Sequence, residues 1–555
     1  MSTLSKLFLR IGSPQLHVTS VIILLSVYFA VVLNYPINQR IYELSTEGHL
    51  LFKLSPAVLL TGLFLIIFSM LSISIKYVFK PFVTLLLVSS ATTMFAMLFY
   101  NVMFDYGMIE NIFETNTGEA WSYVSLPSVL FVSTLGIFPS LLLLRSRVIR
   151  ADSILKGVLQ RIGLVVIGLA LVGVVALFFY KDYASVGRNN HYLNKMINPA
   201  HIFNTVKYIN NTYLTEPLVY KARGTDAHLA AKKNPKPTLF VLVVGETARA
   251  ENMAYYGYSR NTNPFTQSLD MISVANVSSC GTATAHSLPC MMSDMNRDNF
   301  KRNQANAQDN VLEVLQQAGI EVTWFESDGG DKEVASHIIK KEVATSDSNP
   351  LCDDLTCFDV VLVEQLSAHI KARAVNDLGS TLQNQFIALH TIGSHGPTYW
   401  KRYPKEMEVF TPACNRSDIE NCTDEEIVNV YDNTIHYTDY ILSQVVNVLK
   451  QYESEYQVAM LYVSDHGESL GENGLYLHGT PYAIAPSQQT HVPWLMWLPE
   501  SYTEAKMLDR KCIVEQASKG EHSHANLFHT LLGLYGVETH LRNSQLDISQ
   551  NCRVD

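Results

Sequence analysis

Five apolar stretches, at 18–35, 55–75, 82–104, 124–144 and 162–180, constrain this chain more than any other feature. None of the five contains Asp, Glu, Lys or Arg. Each is near the ~20 residues that a helix needs to cross a hydrocarbon core. Packed as soluble helices, five such runs within 180 residues would leave little polar surface to dissolve the domain. The first run has no small-residue cleavage site, so it reads as a retained anchor and not as a removed leader.

The loops between the runs give an orientation. Lys6 and Arg10 precede the first run, and Lys76 and Lys80 lie between the second and third. Arg145, Arg147, Arg150, Lys156 and Arg161 lie between the fourth and fifth. Asp105, Glu110, Glu114 and Glu119 occupy the loop after the third run. Positive loops mark the cytoplasmic side. The N-terminus is therefore expected inside, and five crossings place everything after residue 180 outside. All eight cysteines fall between Cys280 and Cys552, which fits an oxidising compartment for that part. A net charge of −10 argues against a nucleic-acid partner.

A chain of 555 residues exceeds one compact domain. The sequence predicts a five-helix transmembrane domain over 1–180 and a linker with interfacial helices, one near 202–208, over 181–234. A globular domain follows over 235–555, with KKNPKP (232–237) as its boundary. There, apolar runs alternate with helical patterns. Strands are expected at TLFVLVVG (238–245), EVTWFE (321–326), FDVVLV (358–363), QFIALH (385–390), QVAMLYVS (457–464) and VPWLMWL (492–498). Helices are expected at 310–320 and about 425–451. This alternation predicts an α/β sandwich around a mainly parallel sheet.

Ligands in such sheets gather beyond the carboxyl ends of the strands. Those ends carry Gly245-Glu246-Thr247, His390 with Gly393-Ser394-His395-Gly396-Pro397, and Ser464-Asp465-His466-Gly467-Glu468, with Leu477-His478-Gly479 beyond. Carboxylates and imidazoles converging at one edge are a nitrogen/oxygen donor set suited to zinc. A lone Glu or His there would ordinarily be a solvated cap or a packed side chain; their coincidence points to a metal. The segment CGTATAHSLPC (280–290) adds two cysteines around small residues and two hydroxyls. A helix starting near Thr284 would aim free N–H groups at a phosphate, and a metal can activate a threonine hydroxyl. Taken alone, these residues do not rank Thr282 against Thr284. Asn111, Thr115 and Glu119, at i, i+4 and i+8, would share one face of a helix.

Five ordered segments carry a resemblance: VVGETARAENMAYYGYSRNTNP (243–264), CGTATAHSLPC, SHGP (394–397), YDNTIHYTDY (431–440) and SDHGESLGENGLYLHG (464–479). Together they resemble the lipid A phosphoethanolamine transferases. That family includes plasmid-borne colistin-resistance enzymes and belongs to the alkaline phosphatase/sulfatase superfamily; the resemblance covers nearly the whole chain. It implies zinc ligands at Glu246, Thr284, Asp465 and His466, with Thr284 as the residue that becomes modified by phosphoethanolamine. His395 and His478 match residues that hold the phosphoryl group, or a second zinc when one binds. Asn111, Thr115 and Glu119 match membrane-side residues for the lipid substrate. Lys332 stands where some members have a phosphate-contacting lysine, although SDGGDKEV around it departs from the family pattern. His286 and His436 replace residues that are commonly not histidine and read as local variation.

The resemblance further implies a ping-pong transfer from phosphatidylethanolamine to a phosphate of lipid A in lipopolysaccharide, among inner-membrane lipids. It places a monomer in the inner membrane of a Gram-negative bacterium, with the N-terminus cytoplasmic and the catalytic domain periplasmic. Less anionic lipid A should attract polymyxin, colistin and other cationic peptides less. A phosphoglycerol transferase shares this architecture, but the cysteine bracket and the NxxxTxxxE face favour phosphoethanolamine. A soluble-ester phosphatase or sulfatase would not need five spans. A non-catalytic membrane sensor would not need every ligand position filled.

Eight cysteines allow on the order of a hundred pairings. Short separations favour Cys280–Cys290, Cys352–Cys357 and Cys414–Cys422, the first also matching the family's bracket. Cys512 and Cys552 remain, either paired or as two free thiols, and an oxidising compartment favours pairing.

Overall fold

A computed structural model describes residues 14–44, 50–74, 78–115, 117–216, 218–230, 236–343, 349–352, 356–376, 382–417 and 419–554. Lys6, Arg10, Lys76 and the start of the expected 235–555 domain lie outside them. The chain forms two compact units. One comprises Met1–Ile109 and Val124–Ile209; the other comprises Glu110–Tyr123 and Asn210–Asp555.

In the first unit, four helices among the described residues are long and apolar enough to cross a membrane: Leu51–Leu71, Lys80–Phe99, Leu126–Arg145 and Ile154–Tyr183. The first expected span is instead a bent pair. Val18–Leu33 turns by 53° into Tyr35–Leu44, so the count reaches five when that pair is taken as one span. The bend has a local cause. Asn34 is fully buried and donates from Nδ2 to the Phe29 and Asn198 carbonyls at 2.9 and 3.0 Å. Pro36 follows, with no N–H to carry the helix ladder through the break. Phe29, Phe64 and Phe68 pack around the same interior, with Phe29 5.3 and 5.1 Å from the other two rings.

The second unit is an α/β layer structure, as the alternation predicts. Its large sheet has seven strands among the described residues. In chain order they are β1 (Thr238–Gly245), β2 (Ile272–Ser273), β3 (Glu321–Glu326), β4 (Ile339–Glu342), β5 (Gln385–His390), β6 (Gln457–Ser464) and β7 (Trp494–Trp497). They lie in the order β2-β7-β6-β1-β5-β3-β4. From β6 to β4 all neighbours are parallel, and β7 and β2 close the other edge antiparallel. All eight residues of β1 are buried, which is why it reads as an unbroken apolar run instead of an alternating one.

FDVVLV, expected as a strand, is the start of a helix, Val360–Asn376. Leu362, Leu366 and Ile370, four residues apart, are buried on one face, and that longer period decides the element. The expected helix at 425–451 is Asp424–Lys450. Its sequence reads cleanly at both ends. Thr423 and Glu426 form a reciprocal capping box, three acids fill the first turn, and Lys450 sits in the last. The expected helix at 310–320 is Val311–Gln317, and the expected interfacial patch at 202–208 lies within Ala200–Ile209. All four expected cysteine pairs are formed, and no cysteine is free.

Candidate active site

Register brings the strand ends level. Ser464 pairs with Gly245, Val244 with His390, and His390 with Glu326. The residues just beyond therefore emerge at one edge of the sheet. Gly245 lets β1 and β6 close there: a Cβ on it would stand 2.5 Å from the Tyr462 hydroxyl. Gly393 takes φ +48° against the Glu246 backbone, where a Cβ would meet the Glu246 carbonyl at 2.7 Å. The helix Asp424–Lys450 pins two of the loops. Tyr431 donates its hydroxyl to the Thr247 carbonyl at 2.7 Å, and Thr434 bonds the Ser394 hydroxyl at 2.7 Å.

Thr284 is the first residue of the helix Thr284–Met292, as the sequence suggests. Its Oγ1 lies 3.2 Å from each Glu246 carboxylate oxygen and 3.3 Å from His466 Nε2. His466 Nε2 is also 3.4 Å from Glu246 Oε1 and 3.2 Å from Asp465 Oδ2. Glu246, Asp465 and His466 have no exposed surface, and Thr284 is 5% exposed. Thr282 points elsewhere, donating to the Thr480 carbonyl at 2.7 Å.

The donor set fits a cation. His466 Nδ1 bonds the Gly467 carbonyl at 2.9 Å, which holds the proton on Nδ1 and turns the Nε2 lone pair toward the carboxylates. Burial pushes the His466 imidazole below its ordinary range. Burial works the other way on Asp465, but its neighbours His466 and Glu246 and hydrogen bonds from backbone N–H groups outweigh it and hold the carboxyl low. Asp465 Oδ1 accepts from Thr247 and His466 N–H at 3.2 and 2.7 Å, while buried Oδ2 has no hydrogen-bond donor. One atom each from Glu246, Asp465 and His466 lies within 4.8 Å of the others. An ionised carboxylate, a neutral imidazole and an unused buried oxygen form a site that a divalent ion completes.

Beside this cluster stand two of the expected histidines. The His478 ring is 4.7 Å from that of His466 and 5.2 Å from that of His395. His478 Nδ1 is 3.2 Å from Glu468 Oε1, which orients the ring. The other expected residues are placed differently. Asn111 lies on the helix Tyr106–Glu114, which ends before Thr115; a second helix, Thr117–Ser122, begins two residues later. Asn111 and Thr115 are four residues apart at the end of the first of these helices, where the Thr115 N–H and hydroxyl both bond the Asn111 carbonyl at 2.8 Å; residue 116 lies outside the described residues. The Glu119 side chain lies outside the described set. Lys332 donates to the Glu114 carbonyl at 3.4 Å. His286 packs edge-on against Phe300 at 4.9 Å, and His436 lies 5.0 Å from the Phe265 ring.

Sequence reasoning passed over three acids at this edge. Asp359 accepts the Ile392 and Gly393 N–H groups at 2.9 and 3.0 Å, holding the loop that leads to His395. Glu326 and Asp328 surround His390, and one atom each from Glu246, Asp328 and His390 also lies within 4.8 Å of the others. The signal was present, since EVTWFE ends at the same sheet edge as QFIALH. Asp359 was hidden by the reading of FDVVLV as a strand.

Two family models match the chain: sulfatase over residues 238–537, and phosphoethanolamine transferase EptA/EptB over residues 60–213. Phosphoethanolamine transferase EptA of Escherichia coli (strain K12) is 37% identical over 552 residues, covering 97% of this chain and 98% of that protein. Phosphatidylethanolamine transferase Mcr-1 of Escherichia coli is 36% identical over 459 residues, covering 80% of this chain and 83% of that protein. The solved structure of the integral membrane lipooligosaccharide phosphoethanolamine transferase A of Neisseria meningitidis superimposes with a TM-score of 0.90 at 33% identity, over 98% of this chain and 100% of that one.

Proposed function

Because the chain belongs to the phosphoethanolamine transferases, we propose that it moves phosphoethanolamine from phosphatidylethanolamine to a phosphate of lipid A through a phospho-Thr284 intermediate. The observation that carries this reading is the position of Thr284. Its hydroxyl heads a helix and points into a buried cluster of Glu246, Asp465 and His466.

Glu246, Thr284, Asp465 and His466 would hold zinc, which when bound supplies Lewis acidity that lowers the pKa of a nearby hydroxyl. Thr284 gives its proton toward the Glu246 carboxylate, 3.2 Å away. Its oxygen then forms a bond to the phosphorus of phosphatidylethanolamine as the bond to the diacylglycerol oxygen breaks. His395 or His478 protonates that leaving oxygen. N–H groups at the helix start, together with the histidines, face the charge on the phosphoryl oxygens. In the second half, a lipid A phosphate oxygen attacks the same phosphorus, and Thr284 leaves and regains its proton. Asn111, Thr115, Glu119 and Lys332 are assigned to substrate binding on the resemblance alone.

The same reading assigns 1–180 to the inner membrane with a cytoplasmic N-terminus, 181–234 to a linker, and 235–555 to a periplasmic catalytic domain. The product, less anionic lipid A, would confer resistance to polymyxin, colistin and related cationic peptides. Mass spectrometry of lipid A from cells expressing the chain should find a mass increase of one phosphoethanolamine. Unmodified lipid A, with altered glycans or glycerol polymers instead, would refute the assignment.

A further inference from the structure

The edge of the sheet that holds Thr284 also holds a second cluster with its own buried, unused nitrogen. Glu326 ends β3 and His390 ends β5, and the two are paired in register. Glu326 is fully engaged. It accepts from Trp324 Nε1 at 2.9 Å, from Asp328 N–H at 2.7 Å and from His390 Nδ1 at 2.9 Å. The last bond fixes the ring and turns Nε2 away from Glu326. That Nε2 has no hydrogen-bond partner, and His390 has no exposed surface.

Nε2 faces Asp328 Oδ2 at 3.8 Å, too far for a hydrogen bond. Glu246 supplies a third atom, all three lying within 4.8 Å of one another, and Asp328 is only 8% exposed. Atoms bonded at roughly 2.0–2.2 Å to one tetrahedral ion stand about 3.3–3.6 Å apart, close to the 3.8 Å between His390 Nε2 and Asp328 Oδ2. A carboxylate behind a ligating imidazole, as Glu326 stands behind His390, is the usual orienting partner at metal sites. Charge points the same way. Glu246, Glu326, Asp328 and Asp465 bring four buried carboxylates to this edge, and buried charge requires compensation.

We propose that Glu246, Asp328 and His390 bind a second zinc ion, with Glu246 bridging it to the ion of the Thr284 cluster. The bridge rests on the reading of Glu246 as a zinc ligand there; the Asp328–His390 half does not. This site uses neither His395 nor His478. The competing arrangement has no ion, and a His390 imidazolium neutralises the acids. Burial opposes that charge, but Glu326, Asp328 and Asp465 outweigh it and raise the His390 pKa to about 9, so both arrangements are electrostatically sound and stoichiometry separates them.

The test uses the full chain in detergent, stripped by chelation, dialysed against Zn2+ and assayed by elemental analysis. Asp328→Asn and His390→Gln should each hold one zinc fewer per chain than the unaltered protein, while His395→Ala keeps both ions of this pair. Asp465→Asn should lose the other ion. Loss in Asp328→Asn without loss in Asp465→Asn would leave this site standing and count against the Thr284 cluster. Unchanged zinc in folded Asp328→Asn and His390→Gln would overturn the proposal in favour of the imidazolium. Should either variant misfold, X-ray absorption at the zinc edge on His395→Ala decides. A metal neighbour at ~3.5–4 Å is expected, and its absence refutes the bridged pair.

Discussion

Thr282 and Thr284 stand two residues apart, and their hydroxyls do different work. Thr282 donates to the Thr480 carbonyl at 2.7 Å, whereas Thr284 faces Glu246 and His466. On the proposed mechanism Thr284→Ala removes the attacking oxygen and should bring transfer to background. Thr282→Ala removes one buried hydrogen bond, about 0.5–1.5 kcal/mol, and should keep activity within ~10-fold. Intact-mass analysis after exposure to phosphatidylethanolamine should place the adduct on Thr284; an adduct elsewhere refutes the assignment. Ligands can be separated from phosphoryl contacts in the same way. Asp465→Asn or His466→Ala should release the ion of the Thr284 cluster, while His395→Ala should keep it and lose turnover. Full zinc in both of the first two variants would contradict the ligand set. Much of this site was legible because its residues directly follow strands, and strand ends can be read from apolar runs. Asp328 and Glu326 were harder to read. Their partner is His390, some sixty positions away in sequence, and no local pattern announces a pairing that the sheet order creates.

At the level of elements, the strands were read best where both faces are buried. β5 and β6 are each an apolar run closed by a polar residue, β1 is an apolar run closed by Gly245, and β3 is buried from Val322 to Glu326 around a central Thr323. The misreading of FDVVLV came from the same rule, because four β-branched or aliphatic residues in a row look alike at the start of a buried helix. β4, IKKE, was not legible, since all four of its residues are exposed and it joins the sheet only by pairing with β3. Two elements carry predictions. The helix Thr284–Met292 is tied to the preceding loop by Cys280–Cys290. Serine at both positions should lower turnover more than melting temperature. The Cys512–Cys552 bridge closes a loop of 40 residues, which is worth about 3–4 kcal/mol on the chain-entropy model, so serine there should chiefly lower the melting temperature. The reverse pattern would be incompatible with these roles. The helix Tyr106–Glu114 ends beside Arg302, which meets Glu114 at 2.9 Å and Glu110 at 3.9 Å and donates to the Ala285 carbonyl. Burial raises the Glu110 pKa from 4.5 to about 7, Arg302 opposing and Glu114 adding to the rise. The folded state therefore holds the Glu110 proton more tightly than the unfolded state. Its stabilising share is complete below pH ~4.5 and is lost as the pH rises to about 7. Glu110→Gln should flatten the melting temperature across that window, and an unchanged pH slope would refute the shift.

For the molecule as a whole, the question is why a soluble type of catalytic fold is joined to helices of membrane length. The entire Thr284 cluster belongs to one unit, the one made of Glu110–Tyr123 and Asn210–Asp555, with Glu246, Thr284, Asp465 and His466 all in its second segment. The crystal structure of the soluble domain of the Neisseria meningitidis transferase matches 61% of this chain at 38% identity with a TM-score of 0.57. The chemistry of the first half-reaction should then survive truncation, while access to lipids in a bilayer should not. Both proposed substrates are confined to a surface, and a tethered site meets them at an effective concentration far above that of a free one. A chain beginning at residue 218 should therefore still form the Thr284 adduct with a water-soluble, short-chain phosphatidylethanolamine. Toward the long-chain lipid in vesicles its rate should fall by ~10²–10⁴ relative to the full chain. The full chain in vesicles without lipid A should accumulate the adduct, and added lipid A should discharge it. If the truncated chain loses both rates equally, the helices contribute to the reacting groups and not only to access. If it keeps both, anchoring does not limit the reaction. Only the unequal loss is compatible with a self-contained catalytic unit that the membrane unit supplies with substrate.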